Sequence, residues 1–195
     1  MEGHYDEEPF SLARASNRAA KLAGDWQTAF YVGADFLLAD PQQALEAVAV
    51  AERTGQLTFA HDVLVQLDEQ ETADLMAGDP AVLPRGAGIR HPNTFSGALA
   101  VPRALWDEAG GFDERFVDWG GDDISFWAAC CALRGGFQRV AGDAFHLWHP
   151  RSRAENEENS SYPSNHALMC RYLDAKHSSE EMLRILREPG GPHGG

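Results

Sequence analysis

The sequence lacks long apolar runs and is short of basic residues. No window among the 195 residues approaches the roughly 20 consecutive apolar residues of a membrane span. The polar start, Met1 to Asp6, does not have the character of a secretory signal. Sixteen Lys and Arg against thirty Asp and Glu leave a formal net charge of -14, which argues against binding to nucleic-acid phosphates or anionic lipid. These absences predict a cytoplasmic protein with no membrane span and no nucleic-acid partner.

Cysteine is also scarce. Cys130 and Cys131 are adjacent, Cys170 stands alone, and none has the Cys-x-x-Cys spacing of a metal site. Their small number fits a reducing compartment, and we expect all three to be small buried apolar residues. With 44% apolar residues, the chain has enough material for one globular core.

Short apolar runs alternate with segments of helical periodicity, and this alternation predicts an α/β layer sandwich. The predicted strands are Thr28–Val32, Leu57–Ala60, Thr94–Val101, Phe137–Val140 and Ala144–Trp148. The predicted helices are Ser11–Leu22, a helix from Asp40-Pro41 to Gly55, Pro102–Ala109, a helix from Asp122 to Gly135 with the apolar stripe Ile124, Trp127, Ala128 and Cys131, and two C-terminal helices, the second capped by Ser178.

The remaining segments mark the predicted organisation. The stretch 63–77 has no clean period and its structure stays open, and 79–93 is rich in Pro and Gly and predicts a loop. We therefore divide the chain into a tail 1–8, a catalytic-type domain 9–150, a flexible acidic loop 151–164, C-terminal helices 165–188 and a loose tail 189–195.

Ligand-type side chains follow three element ends. They are Asp35 after a strand, Asp122-Asp123 at a helix start, and His146 with His149 around a strand end. Polar groups at strand ends form ligand sites in open α/β sheets, and carboxylate and imidazole donors suit Mn²⁺ or a similar cation. A carboxylate kept free of metal could instead act as a base. Because residues three apart in a strand face opposite sides, at most one histidine is expected to bind the metal.

Each of these residues also has an ordinary structural interpretation. Asp35 suits a turn, and Asp122-Asp123 suits the positive end of a helix dipole. Trp119 can belong to the core, and Arg18 to a solvated helix face. Residue types alone leave these alternatives open.

The order of residues from Thr94 to His149 resembles the C-terminal half of galactosyltransferases and polypeptide N-acetylgalactosaminyltransferases of the GT-A fold. The resemblance is carried by Phe95–Val101, by Gly110–Phe116, and by the run Trp119-Gly120-Gly121-Asp122-Asp123, which is similar to a Trp-Gly-Gly-Glu-Asp segment. It implies that Asp123 is the general base of an inverting enzyme and that Asp122, Trp119, Gly120 and Gly121 bind the acceptor.

The upstream part carries a weaker resemblance. Asn17-Arg18-Ala19 is similar to a donor-contacting helix, and the run from Phe30 to Asp35 is similar to the family's Asp-x-Asp strand end, with Gly33 in place of the first Asp. The resemblance implies donor contacts for Asn17, Arg18, Asp35, Ser96 and Gly97. It implies a metal site of Asp35 with His146, and His149 as the second choice.

The resemblance covers roughly Pro9 to Tyr172, whereas family members begin with further strands that hold the nucleotide base. It implies a truncated GT-A domain that uses Mn²⁺ to move a sugar from a UDP-sugar donor to the hydroxyl of a carbohydrate or glycosylated acceptor. A second polypeptide is one expected source of the missing half. An inactive carbohydrate- or partner-binding remnant and a metal-dependent hydrolase remain as alternatives, and a retaining mechanism also stays open.

Overall fold

The computed structural model describes residues 11–78, 88–150 and 160–194. Within these ranges the chain forms two mixed four-stranded sheets and seven helices, which confirms the predicted α/β class. The strands are β1 (Thr28–Val32), β2 (Phe36–Leu38), β3 (Thr58–Phe59), β4 (Val63–Gln66), β5 (Ile89–Pro92), β6 (Ala98–Pro102), β7 (Gln138–Arg139) and β8 (Asp143–His146). The helices are α1 (Leu12–Leu22), α2 (Gln42–Thr54), α3 (Glu69–Ala77), α4 (Arg103–Ala109), α5 (Asp122–Arg134), α6 (Tyr162–Ala175) and α7 (Ser179–Leu186).

The first sheet has the order β1-β6-β3-β7 and lies between two layers of helices. Successive residues of β6 point to opposite faces, as a pleated strand requires. Leu99 and Val101 pack with α1, α4 and α5, whereas Ala98 and Ala100 pack against alanines of α2. Both faces of the sheet are therefore buried, which explains why β6 is apolar throughout.

The second sheet has the order β2-β8-β4-β5. Its β4 and β8 run parallel, and their register places Gln66 beside His146. The antiparallel pairing of β2 and β8 places Phe36 on the other side of His146. Since β1 belongs to the first sheet and β2 to the second, the turn that carries Asp35 joins the two sheets.

A buried ionic network joins the segment 110–121, between α4 and α5, to the C-terminal helices. Asp113 is 4% exposed and accepts a hydrogen bond of 2.7 Å from Tyr172 Oη. The Arg115 guanidinium also donates to the Asp113 carboxylate. A buried carboxylate is stable only when it is paired in this way.

Most predicted element ends are confirmed. Ser11 Oγ accepts from the Arg14 N–H at 3.2 Å, and Ser178 Oγ accepts from the Glu181 N–H at 3.3 Å, so both serines cap their helices. Gly55 and Gly135 end α2 and α5 in the left-handed conformation, which glycine adopts without strain.

Several segments differ from the sequence prediction, among them β2, which was not predicted, and β6, which begins at Ala98 instead of Thr94. The stretch left open forms β4 and α3, and α3 is capped by a reciprocal pair of hydrogen bonds between Asp68 and Glu71. Residues 89–92 of the predicted loop form β5 because they pair with β4, while 79–87 lie outside the described residues. Residues 162–164 begin α6 instead of ending a loop, with Pro163 in the first turn where its missing N–H costs nothing. The other part of that loop, 151–159, is outside the described residues.

The predicted apolar stripe of α5 is wrong in part. The buried positions are Ser125, Phe126 and 128–130, because α5 packs between two groups of helices rather than on one face. Of the cysteines, Cys130 is buried as predicted, but Cys131 and Cys170 are only partly buried.

The C-terminal tail is held against the domain as far as residue 194. The His193 N–H donates to Leu186 O at 2.8 Å, and His193 Nε2 lies 2.7 Å from Glu108 O. The prediction of a loose tail is therefore wrong for these residues. Among the described helices, none combines the length and apolar character needed to cross a bilayer.

Candidate functional site

A cleft of about 730 Å³ opens where the ends of β1, β6 and β8 meet the segment before α5. Seven of the residues predicted from the sequence line it, and they are Asp35, Ser96, Gly97, Trp119, Asp123, His146 and His149. The fold therefore gathers groups predicted as donor, acceptor, metal and catalytic residues around one space.

Asp35 and two histidines converge at this cleft. Asp35 Oδ2 lies 2.9 Å from His146 Nε2 and 3.3 Å from His149 Nε2. One ligand atom from each of the three residues lies within 4.8 Å of the others. The expectation that the two rings face opposite sides is therefore wrong, and the three side chains could together hold one cation.

The backbone after β8 explains why both histidines reach the same carboxylate. The strand ends at His146, so the alternation of an extended strand does not continue to His149. The Leu147 N–H donates to Asp35 O at 2.8 Å, and the Trp148 N–H donates to Thr72 Oγ1 at 2.8 Å. These two hydrogen bonds hold the segment that follows β8 beside Asp35 and against α3.

The histidines also set the charge state of Asp35. A hydrogen bond from His146, together with the charges of His146 and His149, lowers the pKa of Asp35 below its usual value although burial acts in the opposite direction. The carboxylate is therefore kept ionised, which is the form that binds a metal.

Gly33 leaves the space that the turn carrying Asp35 needs. A Cβ atom at Gly33 would lie 2.8 Å from Asp35 Oδ1 and 2.9 Å from the Phe36 ring. A side chain at position 33 would therefore disturb Asp35. This is a physical reason for glycine at the position that corresponds to the first Asp of the Asp-x-Asp segment in the family that the sequence resembles.

Asp123 reaches the cleft from the first turn of α5. Its Oδ1 accepts from the Ile124 N–H at 2.8 Å. Burial, together with the charge on neighbouring Asp122, raises the pKa of Asp123 to about 7. Burial also raises the pKa of Asp122, but Asp122 is not among the residues that line the cleft. The adjacent acids therefore have different positions relative to the cleft.

Trp119 is 42% exposed at the edge of the cleft, so the alternative that it belongs to the core is wrong. Its ring stacks on Tyr162 of α6, with centroids 5.7 Å apart and planes inclined by 12°. Gly120 and Gly121 have φ values of 110° and 97°, which favour glycine. A Cβ at Gly121 would meet Met169 and Phe116 at 3.1 Å. The close approach that these glycines permit is to α6, and neither of them lines the cleft.

The two residues of α1 predicted to contact the donor, Asn17 and Arg18, lie outside the cleft. Asn17 Nδ2 donates to Phe112 O at 2.8 Å, and its Oδ1 accepts from the Phe112 N–H at 2.9 Å. Asn17 therefore ties α1 to the segment after α4. Arg18 is exposed, and neither residue is among those lining the cleft, so their donor contacts stay predictions.

Sequence reasoning did not single out several other residues that line the cleft, namely Tyr31, Phe36, Gln66 and Trp148. Trp148 is 40% exposed, and its position between two ligand-type histidines was a usable signal. Gln66 had no such signal, because the strand that carries it shows no clean pattern.

Burial raises the pKa of Tyr31 to about 12, with the charges of Asp122, Asp123 and Asp35 contributing, so the phenol stays protonated.

Comparison with known proteins agrees with the resemblance. Residues 86–151 match a family model described as the N-terminal domain of galactosyltransferase. The match includes Trp119, Asp123, His146 and His149, and it covers about a third of the chain. A search of curated proteins found no match. Over residues 86–151, this chain is therefore similar to the galactosyltransferase family of glycosyltransferases.

Proposed function

We propose that the chain is a metal-dependent GT-A glycosyltransferase. It would move a sugar from a nucleotide diphosphate donor, a UDP-sugar, to an acceptor hydroxyl, with inversion of the anomeric configuration. One observation supports this most. Asp35, His146 and His149 converge in the cleft that Asp123 also lines. A cation-binding group and a separate carboxylate base are the two parts that such a transfer needs.

The donor set suits a divalent cation. One carboxylate and two imidazoles are ligands for Mn²⁺ and for other first-row metals, and all three ligand atoms lie within 4.8 Å of one another. When bound, the cation would neutralise the donor diphosphate and stabilise it as a leaving group. In a chain with a net charge of -14, an anionic donor needs such local positive charge.

Asp123 is proposed as the base. A carboxylate whose pKa lies near 7 can accept a proton from a hydroxyl, and about half of it is ionised at neutral pH. Asp123 would take the acceptor hydroxyl proton as the acceptor oxygen bonds the anomeric carbon. The bond from that carbon to the diphosphate oxygen breaks, and the diphosphate leaves with the electron pair. Attack from the face opposite the leaving group inverts the configuration.

The aromatic residues at the cleft supply surfaces for sugar rings. Trp119 and Trp148 are 42% and 40% exposed, and an indole face packs well against the apolar face of a sugar. Trp119 lies in the segment that leads into Asp123, so we propose that it binds the acceptor. Ser96 and Gly97 line the cleft and are proposed to contact the donor.

Calorimetric titration tests the donor site. Mn²⁺ and then UDP are titrated into the wild-type chain, into Asp35→Asn, and into Asp25→Asn as a matched control at an exposed acid. We expect UDP to bind only with Mn²⁺, and Asp35→Asn alone to abolish this binding. Equal UDP binding with and without Mn²⁺ would refute the metal-dependent donor site.

Product analysis separates the proposal from its alternatives. UDP-galactose is incubated with the chain and Mn²⁺, with and without methyl glucoside as an acceptor probe. A new glycoside supports transfer. Free galactose without acceptor favours the hydrolase, and binding without turnover favours an inactive remnant. That a second polypeptide supplies a nucleotide-binding half stays a prediction.

A further inference from the structure

The first turns of α6 hold the segment 117–121, which places Trp119 at the cleft. Asn165 is 2% exposed, and its Nδ2 donates to Val117 O at 2.8 Å and to Trp119 O at 3.1 Å. The two carbonyls belong to residues on either side of Asp118. One buried amide therefore fixes the backbone both before and after this residue.

Asp118 needs such support because of its backbone conformation. Its φ is 60°, in the left-handed region that residues with a side chain adopt rarely. Ser161 Oγ donates to Asp118 Oδ2 at 2.9 Å, so the first turn of α6 also holds the side chain at the centre of the turn. The strained conformation is thus stabilised from α6 at both backbone and side-chain level.

Aromatic packing adds a third contact from the same helix. The Trp119 ring stacks on Tyr162, and Tyr162 also lies 3.5 Å from where a Gly120 Cβ would be. Asn165 is one helical turn after Ser161, whose carbonyl accepts from the Asn165 N–H at 3.0 Å. The groups that hold the Trp119 segment therefore belong to one rigid unit.

We propose that Asn165 is a positioning residue, which sets the place of Trp119 in the cleft and through it the binding of the acceptor sugar. The role in acceptor binding rests on the function proposed above. The positional role does not, because it follows from the contacts of Asn165 alone. Asn165 itself does not line the cleft, so it acts only through Trp119.

Hydrogen exchange tests the positional role directly. Exchange of the amides of 117–121 is measured in the wild-type chain, in Asn165→Ala and in Ser164→Ala. Ser164 is the neighbouring exposed residue, and its hydroxyl donates to Ser161 O at the start of α6 instead of to the segment 117–121. We expect Asn165→Ala to speed this exchange about tenfold, since the segment opens more often once the hydrogen bonds to Val117 O and Trp119 O are lost. Equal exchange in both variants would overturn the proposal.

A second variant covers the case in which Asn165→Ala does not fold. Asn165→Asp keeps the size of the side chain but sets a carboxylate against two carbonyl oxygens, so it loses both donated hydrogen bonds. It should show the same local increase in exchange, with amides of the first sheet protected as in wild type. Protection of 117–121 at the wild-type level in Asn165→Asp would likewise refute the role of Asn165.

Activity then tests the functional consequence. With UDP-galactose and methyl glucoside as probes, Asn165→Asp should raise the acceptor KM about tenfold with a smaller change in kcat, and leave Mn²⁺-dependent UDP binding unchanged. An unchanged acceptor KM would refute the link between Asn165 and the acceptor. If the wild-type chain transfers no sugar, the proposed function fails, while the exchange measurement still decides the positional role.

Discussion

Gly97 lies against the ring of Phe36 so closely that a Cβ atom on Gly97 would be 1.9 Å from Phe36 Cε1. The same ring packs edge-on against His146, with centroids 5.0 Å apart. The absent side chain of Gly97 thus determines the position of a candidate metal ligand through one intervening ring. We regard the space at Gly97 as part of the site, although no donor atom is involved.

Gly97→Ala should therefore damage both stability and the cation site. The added methyl group meets the Phe36 ring, and φ is +96°. Overpacking and left-handed strain together are expected to cost about 2 to 5 kcal/mol in the free energy of unfolding. Chemical denaturation measures this cost. Gly135→Ala is the control, because φ is +71° there but a Cβ meets nothing within 4 Å. A loss in Gly97→Ala no larger than in this control would contradict the role of the close contact.

Both histidines are expected to contribute to metal affinity. His146→Ala and His149→Ala should each weaken Mn²⁺ binding at least about tenfold, because removal of even a supporting group commonly costs that much. Titration calorimetry measures the affinities. His177→Ala is the matched control, since His177 is exposed and does not line this cleft. Wild-type affinity in His149→Ala would mean that only two of the three side chains bind the ion.

Asp123→Asn should abolish transfer without weakening the binding of Mn²⁺ and UDP. Loss of a general base typically lowers kcat by about 10²- to 10⁴-fold. In the wild type, kcat should fall as the pH decreases through about 7, because Asp123 then becomes protonated. The measurements are initial rates from pH 5 to 9 and a UDP titration of each variant. A transfer rate in Asp123→Asn close to wild type would exclude Asp123 as the base.

The neighbouring acid gives a more specific test of this pH dependence. The charge on Asp122 helps to raise the pKa of Asp123, so Asp122→Asn should move the acidic limb of the kcat profile to lower pH. An unmoved limb would mean that another group sets the profile.

His61 predicts a separate loss of stability in acid. It is fully buried, and Nδ1 has no hydrogen-bond partner in the described part of the chain. Burial, reinforced by the charge of Arg139, lowers the pKa of His61 to about 4. Between pH 6.5 and about 4 the unfolded chain binds more protons at this residue, so stability falls as the pH decreases through that range, by about 2 kcal/mol at pH 5.

Denaturant unfolding of wild type and His61→Gln at pH 7 and pH 5 measures this effect. The difference between the two chains isolates His61 from the carboxylates, which titrate in both. We expect the wild type to lose about 2 kcal/mol more than the variant on acidification. Equal losses would mean that His61 is protonated in the folded state as readily as in the unfolded chain.

The sequence predicted those features that local chemistry determines. Helix ends with a side-chain cap or a glycine, such as Ser11 and Gly135, were predicted because the capping group and the backbone that it serves are adjacent. The strand Ile89–Pro92 was not predicted, because Ile89 is its only apolar residue besides proline and the strand forms by pairing with β4 at the edge of a sheet.

The features of the candidate site also fall into two groups, those predicted from local chemistry and those that depend on distant contacts. Asp35, Asp123 and His146 were predicted because each follows or begins a recognisable element. The joint approach of His146 and His149 to Asp35 was not, because it depends on hydrogen bonds from Leu147 to Asp35 and from Trp148 to Thr72. Contacts between segments far apart in sequence leave no periodic pattern.

The strand pairing described above also bears on how the chain folds. β1 pairs with β6, and β4 pairs in parallel with β8, so each sheet joins early and late parts of the chain. Such non-local pairing slows folding, because a long loop must close before its contacts form. On a ribosome, Asp35 would leave the exit tunnel long before His146 exists. The cleft can therefore be completed only after His146 and His149 have been synthesised, and before that point Asp35 lacks the two imidazoles that lie beside it in the folded chain.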